Sequence, residues 1–507
     1  MSTAGQLWSR RGYVIGLASI FLLAFLVRLT GILRGGGLYG LGNYDDGVHF
    51  AAALGLVNGL MPYRDFLLLH PPGVVLALTP FATVSWLIGE PHAMAAARLS
   101  WMALGAANTV LCGLVIRPLG RIPALVTALF YALCIGAVYV EHTPLHESAA
   151  TTMLLLALVI VRLLDTGERI GRGHYVAAGL LLGISPVVKI WGVVVVLVVV
   201  VCLAYLRGRR PALTVLLAAA ASCAAVCLPF FIAAPERMWR MVVVAQLNRR
   251  RVMEAPITRL DDILGSREWE TARGLVHHAV FVAVFLIVGT ALVICLVRAQ
   301  LRVLAVLLIS HGLLVMTTPM WFLHYAGMSA APIALVLGGA LGAIMDWSGR
   351  RRPSSAVPLA VAAAGAVLLL AIPMIRVDLG GRSFPGQALA VVLRDRPGCL
   401  THDFPMALIQ MDLLQRDLDR GCRFVVDLGG YSYYVTESPD AKESRARNRD
   451  WQAFALEYYR SGDAAIAVRF RAGAGFSRAT ARTIERWPVI VEVGEFVVRE
   501  PRPARRP

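Results

Sequence analysis

Two adjacent carboxylates and a set of basic residues far away in the chain are the parts of this sequence with the clearest chemistry. Asp45 and Asp46 lie in the segment GNYDDGVHF. A carboxylate can take a proton from a hydroxyl nucleophile, while lysine and arginine can hold a phosphate or pyrophosphate leaving group. The basic candidates are Lys189, in SPVVKIW, and the consecutive arginines Arg249, Arg250 and Arg251. These residue types predict transfer from a phosphate-activated donor to a hydroxyl.

Other polar and aromatic residues follow the same apolar runs and extend the predicted site. They are His49, Arg64 in PYRDF, His70 in HPPG, Glu147 with Glu141 in EHTPLHE, and His324 and Tyr325 in WFLHYAGM. Each has a plainer interpretation. The segment GNYDDG is rich in turn-forming residues, a lysine at a helix end can extend to the membrane surface, and histidine and tyrosine occur in interfacial belts. Asp65 is better explained as a partner for Arg64 or a helix cap than as a catalyst.

The composition determines which elements must position these residues. Of the 507 residues 57% are hydrophobic and 16% charged, and apolar runs of spanning length recur along most of the chain. This predicts a polytopic membrane protein. The net charge of +17 does not indicate nucleic-acid binding, because most arginines fall in short connectors, where they orient a membrane protein. The first run, residues 13–33, is interpreted as a retained span.

The arginine-bearing connectors predict the topology if all of them face the cytoplasm. The runs between them then come in pairs, with a break at Ser185 and Pro186 that puts Lys189 near the outer surface. Residues 72–89 are interpreted as an interfacial or re-entrant segment, which gives about eleven spans. The first outer loop covers residues 34–92 and a later outer loop residues 234–277. Three arginines in that later loop oppose the charge bias, which favours an anionic ligand there.

The composition of the chain changes in its C-terminal tail. This change predicts a separate soluble domain. Residues 1–376 would form the membrane domain and residues 377–507 a small α/β domain outside the cell membrane. The segments CRFVVDLGG, AAIAVRF and PVIVEVGEFVVRE read as strands, and PMALIQMDLLQRDL and RNRDWQAFALEYYRSG as amphipathic helices. An exported position makes a disulfide between Cys399 and Cys422 reasonable. The six other cysteines read as small buried hydrophobic residues.

The first outer loop resembles that of the GT-C superfamily of polytopic glycosyltransferases. The similar features are a span, the acidic pair in YDDG, the helix VHFAAALGLVNG, and then PYRDF and HPPG before an apolar segment. The resemblance covers roughly residues 10–345. The superfamily includes protein O-mannosyltransferases, aminoarabinose transferases, and mannosyl- and arabinofuranosyltransferases of actinobacterial envelopes. It implies an all-α membrane fold. The Ala, Val and Arg content fits an actinobacterium.

The resemblance also implies roles for individual residues. Asp45 is the expected general base and Asp46 its support, although many relatives carry Glu at the second position. Glu147 matches a further acidic position. The expected ligands of the donor phosphate are Lys189, Arg249, Arg250 and Arg251. The remaining substrate-binding candidates are His49, Arg64, His70, His324 and Tyr325.

The implied reaction is an inverting displacement at the outer face of the cytoplasmic membrane, with the N-terminus cytoplasmic. The donor is expected to be a polyprenyl-phosphate sugar, because nucleotide sugars do not cross the membrane. Mannose is the first expectation and arabinofuranose the alternative. The acceptor would be an envelope glycan, a glycolipid or a protein. A divalent metal at the acidic pair stays open. The competing classes are a lipid-linked sugar transporter or flippase without chemistry and a non-catalytic scaffold.

Overall fold

The computed structural model describes residues 10–165, 167, 170–247, 249, 254–269, 274–351, 356–434, 444–470 and 473–502. Most of these residues are helical, and a small sheet lies in the C-terminal part. Within these ranges six helices are long and apolar enough to cross a membrane: Arg10–Leu33, Glu90–Leu119, Arg209–Ala233, Gly274–Val297, Ala299–Met316 and Leu323–Ser348. The chain is therefore a helical membrane protein, as the composition predicts.

Other apolar helices are further candidates for membrane spans. Arg121–Leu133 and Ile135–Glu141 form one pair bent by 60°, and four shorter apolar helices cover Gly73–Ile88, His146–Ile160, Gly192–Arg207 and Pro358–Leu370. Because these pieces are bent or short, length and composition alone do not make them spans. The count of about eleven spans stays a prediction.

The helices in the first half of the chain are α1 (Arg10–Leu33), α2 (Tyr44–Val57), α3 (Gly73–Ile88), α4 (Glu90–Ile116), α5 (Arg121–Leu133), α6 (Ile135–Glu141), α7 (His146–Ile160), α8 (Arg172–Val188), α9 (Gly192–Arg207) and α10 (Arg209–Ala233). They are followed by α11 (Pro235–Trp239), α12 (Ala245–Leu247), α13 (Pro256–Leu264), α14 (Gly274–Val297), α15 (Arg302–Met316), α16 (Gly327–Arg351) and α17 (Ala356–Leu370). The C-terminal part contains α18 (Gly386–Leu393), β1 (Leu400–His402), α19 (Pro405–Met411), α20 (Leu414–Asp419), α21 (Arg449–Arg460), β2 (Ala464–Ile466), α22 (Arg478–Glu485), β3 (Val489–Val493) and β4 (Phe496–Arg499).

The chain divides into two compact units, each assembled from three separate ranges. The first unit comprises Met1–Gly31, Leu99–Val226 and Met253–Leu379, and the second Ile32–Arg98, Cys227–Val252 and Gly380–Pro507. Buried apolar side chains such as Leu155, Leu182 and Leu335 form the core of the first unit. The whole of the first outer loop, residues 34–92, thus belongs to the same unit as residues 380–507 of the tail. The predicted division at residues 376 and 377 stays a prediction.

The apolar stretch after Arg172 is interrupted at Lys189, one turn later than the Ser185–Pro186 break that the sequence predicts. Pro186 lies in the last turn of α8, and Lys189 has extended backbone angles (φ −144°, ψ 128°). Gly192 then begins α9, where a Cβ atom would lie 2.3 Å from the nitrogen of Pro186. A glycine is therefore required for the chain to fold back this tightly.

The segment GNYDDG begins a helix and is not a free turn. Asn43 caps α2, because its side chain accepts a hydrogen bond from the N–H of Asp45 at 3.1 Å. Asp45 and Asp46 occupy the first helical turn, where the partial positive charge of the helix end favours carboxylates. Gly42 precedes them with φ +60°, in the left-handed region that glycine favours. The helix begins before the segment VHFAAALGLVNG that the sequence predicts.

The C-terminal sheet has the strand order β1-β2-β4-β3. β1 and β2 are parallel, while β4 is antiparallel to both of its neighbours. The strands expected in AAIAVRF and PVIVEVGEFVVRE are present, and both predicted amphipathic segments are helical. The prediction of a strand in CRFVVDLGG is wrong, because the structure has no strand in this segment. Its apolar residues Val425, Val426 and Leu428 are buried, but the backbone bonds to side chains instead of a strand, for example from Trp451 Nε1 to the Leu428 carbonyl at 2.7 Å.

Cys399 and Cys422 form a disulfide, as the exported position of the tail suggested. Their Cα atoms are 5.7 Å apart, and the bridge joins the start of β1 to the segment after α20. Closing a loop of this length constrains the unfolded chain and stabilises the fold by roughly 3 kcal/mol. The other cysteines are free and fully or partly buried, as predicted.

Candidate active site

In the first unit, Lys189 occupies a buried aromatic cage. Its Nζ forms an ion pair with Glu147, and it lies 4.2 Å from the ring centroid of Trp191 and 4.4 Å from that of Tyr325. Only 3% of Lys189 is exposed. A side chain that extended to the membrane surface would be exposed at its tip, so this geometry argues against the plainer interpretation. The chain contains only two lysines against 47 arginines, a signal that singles out Lys189 from the sequence alone.

Further predicted residues of the first unit lie beside this lysine. His324 Nε2 is 3.9 Å from Glu147 Oε1, and its ring packs edge-on against Tyr325. Glu147 is fully buried, and its Oε2 has no hydrogen-bond partner in the part of the chain that the structure describes. The tertiary fold thus brings four predicted residues together: Glu147, Lys189, His324 and Tyr325. A buried charge persists only when it is paired, so this group is coupled electrostatically.

Glu141 in the same segment is structural. Its carboxylate is fully buried and pairs with Arg28 of α1. The other oxygen accepts hydrogen bonds from Asn108 Nδ2 at 2.8 Å and from Tyr131 at 2.7 Å. Asn108 also receives a bond from Thr152 of α7 at 2.8 Å. This network links α4 to α7, which carries Glu147, and both oxygens of Glu141 are occupied.

In the second unit, Asp46 is the buried member of the acidic pair. Its Oδ2 accepts a hydrogen bond from Arg98 Nη2 at 3.0 Å, and both side chains are fully buried. Arg98 Nη1 also donates to the carbonyls of Leu38 at 2.7 Å and Gly40 at 3.0 Å. Asp46 and Arg98 therefore hold the loop before α2, and the supporting role of Asp46 stays a prediction.

Asp45 is partly exposed and lies near a carboxylate that sequence reasoning missed, Asp427. Asp427 accepts hydrogen bonds from the Tyr44 hydroxyl at 3.0 Å and from the N–H of Gly430 at 2.6 Å. Burial raises the pKa of Asp427, and the negative charge of Asp45 raises it further. The only signal in the sequence is an aspartate followed by Leu-Gly-Gly between apolar and aromatic residues, in VVDLGGYSYY.

The remaining predicted residues of the second unit occupy different environments. His49 is buried in α2, and its ring lies edge-on to that of His70, with centroids 5.9 Å apart. Arg64 is exposed and pairs with Asp65 at 2.9 Å, which is the partnership that the sequence suggested. The pKa of Asp65 is lowered by this hydrogen bond from Arg64. Arg64 is thus the least confined of the substrate-binding candidates.

Of the three predicted phosphate-binding arginines, the structure describes only Arg249. Arg249 lies 5.5 Å from the ring centroid of Tyr433, in the C-terminal part of the same unit. Arg250 and Arg251 lie outside the described residues. A second arginine, Arg445, lies 5.7 Å from the same ring. Sequence reasoning missed Tyr433 and Arg445, because they lie almost two hundred residues beyond Arg249.

Comparison with known proteins gives a likeness in fold. No family model matches the chain, and no curated protein matches its sequence. ArnT from Cupriavidus metallidurans in the apo state has a TM-score of 0.62 and 13% identity, with 96% of this chain and 98% of that one covered. The same protein bound to undecaprenyl phosphate has a TM-score of 0.62 and 13% identity, covering 98% and 99%. An oligosaccharyltransferase from Archaeoglobus fulgidus has a TM-score of 0.58 and 12% identity, covering 90% and 69%.

These solved structures are glycosyltransferases of the GT-C type. At such low identity the likeness concerns the fold and not individual residues. It agrees with the resemblance that YDDG, PYRDF and HPPG carry in the sequence. The chain therefore shares its fold with these solved membrane glycosyltransferases.

Proposed function

We propose that this protein is an integral membrane glycosyltransferase that transfers a sugar from a polyprenyl-phosphate donor to a hydroxyl. The sugar is mannose, with arabinofuranose as the alternative. The acceptor is an envelope glycan, a glycolipid or a protein at the outer face of the cytoplasmic membrane. The glycosyltransferase fold and the undecaprenyl phosphate bound to ArnT support a lipid-phosphate donor. The same fold favours transfer over the transport of a lipid-linked sugar.

The environment of Lys189 is the observation that carries this proposal. Burying an ammonium group is costly unless the charge is paired, and Glu147 provides that pairing. Trp191 and Tyr325 restrict the lysine from the sides, so its charge has a defined position in a site of low dielectric constant. A positive charge held in this way stabilises the negative charge that develops on a departing phosphate.

The chemical step is a single displacement with inversion. Asp45 takes the proton of the acceptor hydroxyl, whose oxygen forms the new bond to the anomeric carbon. The bond from that carbon to the phosphate oxygen breaks, and its electron pair leaves with the polyprenyl phosphate. Lys189 and the arginines at positions 249–251 bind the leaving group, and Asp46 orients the loop that carries Asp45.

A donor screen tests the proposal directly. The full-length protein, purified in detergent, is incubated with radiolabelled polyprenyl-phosphate mannose or polyprenyl-phosphate arabinofuranose and a mixture of envelope glycans and glycolipids. We expect label to move from one donor to an acceptor, with equimolar release of polyprenyl phosphate. Release from neither donor, by a protein that binds undecaprenyl phosphate, would contradict the proposal.

A further inference from the structure

Two arginines from distant parts of the sequence meet on one tyrosine ring in the second unit. The guanidinium carbon of Arg249 is 5.5 Å from the centroid of Tyr433, and that of Arg445 is 5.7 Å from it. Two positive groups that contact the same ring repel each other, and an anion bound between them would offset that repulsion. All three side chains are partly exposed, so a ligand can reach them.

The contacts of Arg445 orient its guanidinium group for such a ligand. Its Nε lies 3.3 Å from both the Gly429 carbonyl and the Ser432 hydroxyl, and donates to them. Among the residues that the structure describes, its two terminal nitrogens form no hydrogen bond. A guanidinium fork held by Nε can donate two parallel bonds to the oxygens of one phosphate. The geometry of Arg445 therefore suits an anion with several oxygens.

The surroundings of this pair contain two more arginines and one carboxylate, Asp427, whose charge interacts with that of Arg445. Arg240 lies 5.3 Å from the centroid of Tyr434, and Arg469 lies 4.3 Å from that of Tyr44. The carboxylate of the same segment, Asp427, already accepts bonds from Tyr44 and Gly430. Clustered arginines beside tyrosine rings are a common recognition pattern for anionic groups.

We propose that Arg249 and Arg445, with Tyr433 as their common platform, form a phosphate-binding site. A phosphate has three or four oxygens and can engage both guanidinium groups at once, whereas a carboxylate has only two. The phosphate belongs either to the polyprenyl lipid or to a soluble phosphorylated ligand. The lipid assignment rests on the proposed function, whereas the site itself does not. The C-terminal part of the chain thus contributes directly to ligand binding.

Binding measurements without any sugar test this site. The full-length protein in detergent is titrated with undecaprenyl phosphate, undecaprenol or inorganic phosphate. We expect Arg445→Gln and Arg249→Gln to weaken undecaprenyl phosphate binding about tenfold or more, since each removes a charge-assisted contact. Binding of undecaprenol, which carries no phosphate, should not change. Arg447→Gln is the matched control, because Arg447 is an exposed arginine two residues from Arg445.

The outcomes distinguish a lipid phosphate from a soluble phosphate. They also distinguish failure of the phosphate-binding site from failure of the proposed sugar transfer. If the variants bind undecaprenyl phosphate more weakly, the ligand of the site is the lipid phosphate. If they bind only inorganic phosphate more weakly, the ligand is a soluble phosphorylated molecule. Wild-type affinity of both variants for both phosphate probes overturns the site. Arg445→Lys keeps the charge but loses the fork, so it should show a partial loss even if Arg445→Gln folds poorly. A protein that transfers no sugar yet shows these losses retains the site and refutes the proposed function.

Discussion

Arg28 of α1 and Glu141 of α6 form an ion pair in which both side chains are fully buried. They are 113 residues apart in the sequence. The pair lies in the first unit together with Asn108 and Tyr131, which occupy the second oxygen of Glu141. The pair therefore joins three helices of the membrane region to the bent helix that precedes Glu147.

Breaking this pair should destabilise the protein strongly. Glu141→Ala leaves the charge of Arg28 buried without compensation, so we expect a loss of about 3–5 kcal/mol in the free energy of unfolding. Titration with a denaturing detergent in mixed micelles measures the loss. The double variant Arg28→Met with Glu141→Met removes both charges and should recover part of it. A single variant as stable as wild type would contradict the structural role.

Removing the buried lysine should weaken donor binding. In Lys189→Ala the phosphate loses a charged donor, and we expect its affinity to fall about 10- to 100-fold. Undecaprenyl phosphate binding measures this, with Glu147→Gln added to the variant so that no unpaired carboxylate remains. Lys442→Ala, which changes the other lysine of the chain, is the control. An unchanged affinity in the folded double variant would remove Lys189 from the phosphate site.

Replacing the proposed base should stop turnover and spare donor binding. Asp45→Asn cannot accept the proton of the acceptor hydroxyl, so we expect the transfer rate to fall by about 10²- to 10⁴-fold. The dissociation constant for undecaprenyl phosphate should stay the same. Asp450→Asn changes an exposed aspartate that also lies in a first helical turn, that of α21, and should retain activity. Normal turnover by Asp45→Asn would rule out this base.

The buried His402 should make stability depend on pH. Burial lowers the pKa of His402 from its ordinary value of 6.5 to about 3. Between these values the unfolded chain binds a proton that the folded chain does not, so stability falls as the pH falls from 6.5 towards 3. The slope is at most about 1.4 kcal/mol per pH unit. His402→Gln should flatten it, and replacing the exposed His92 should not. An unchanged slope in His402→Gln would contradict this.

Cysteine labelling should show on which side of the membrane the C-terminal tail lies. Arg486 is exposed after α22, so Arg486→Cys should react with a membrane-impermeant maleimide in intact cells if residues 377–507 lie outside. Arg298→Cys, in the connector between α14 and α15, should react only after lysis. Labelling of Arg486→Cys only after lysis would reverse the predicted orientation.

Local patterns in the sequence predict most of the helices and the breaks between them, because these features depend on neighbouring residues. Apolar runs identify the helices of the membrane region, because each run must bury its surface in lipid or protein. The apolar segment VHFAAALGLVNG predicts the helix that follows the acidic pair, although the helix begins earlier, at Tyr44. The break near Lys189 is predicted from Ser185 and Pro186, although this prediction locates it one turn early. The acidic pair and the lysine stand out because charged residues are rare beside such runs.

The pairing of charges is decided by the tertiary structure alone. Glu141 and Glu147 lie in one short segment with similar neighbours, yet one pairs with Arg28 and the other with Lys189. Asp46 is paired with Arg98, and Asp45 lies near Asp427, which is far away in the sequence. Such contacts leave no periodic trace in the sequence, because they depend on which distant helices pack together. The sequence therefore determines which residues can do chemistry, and packing determines which of them are free to do it.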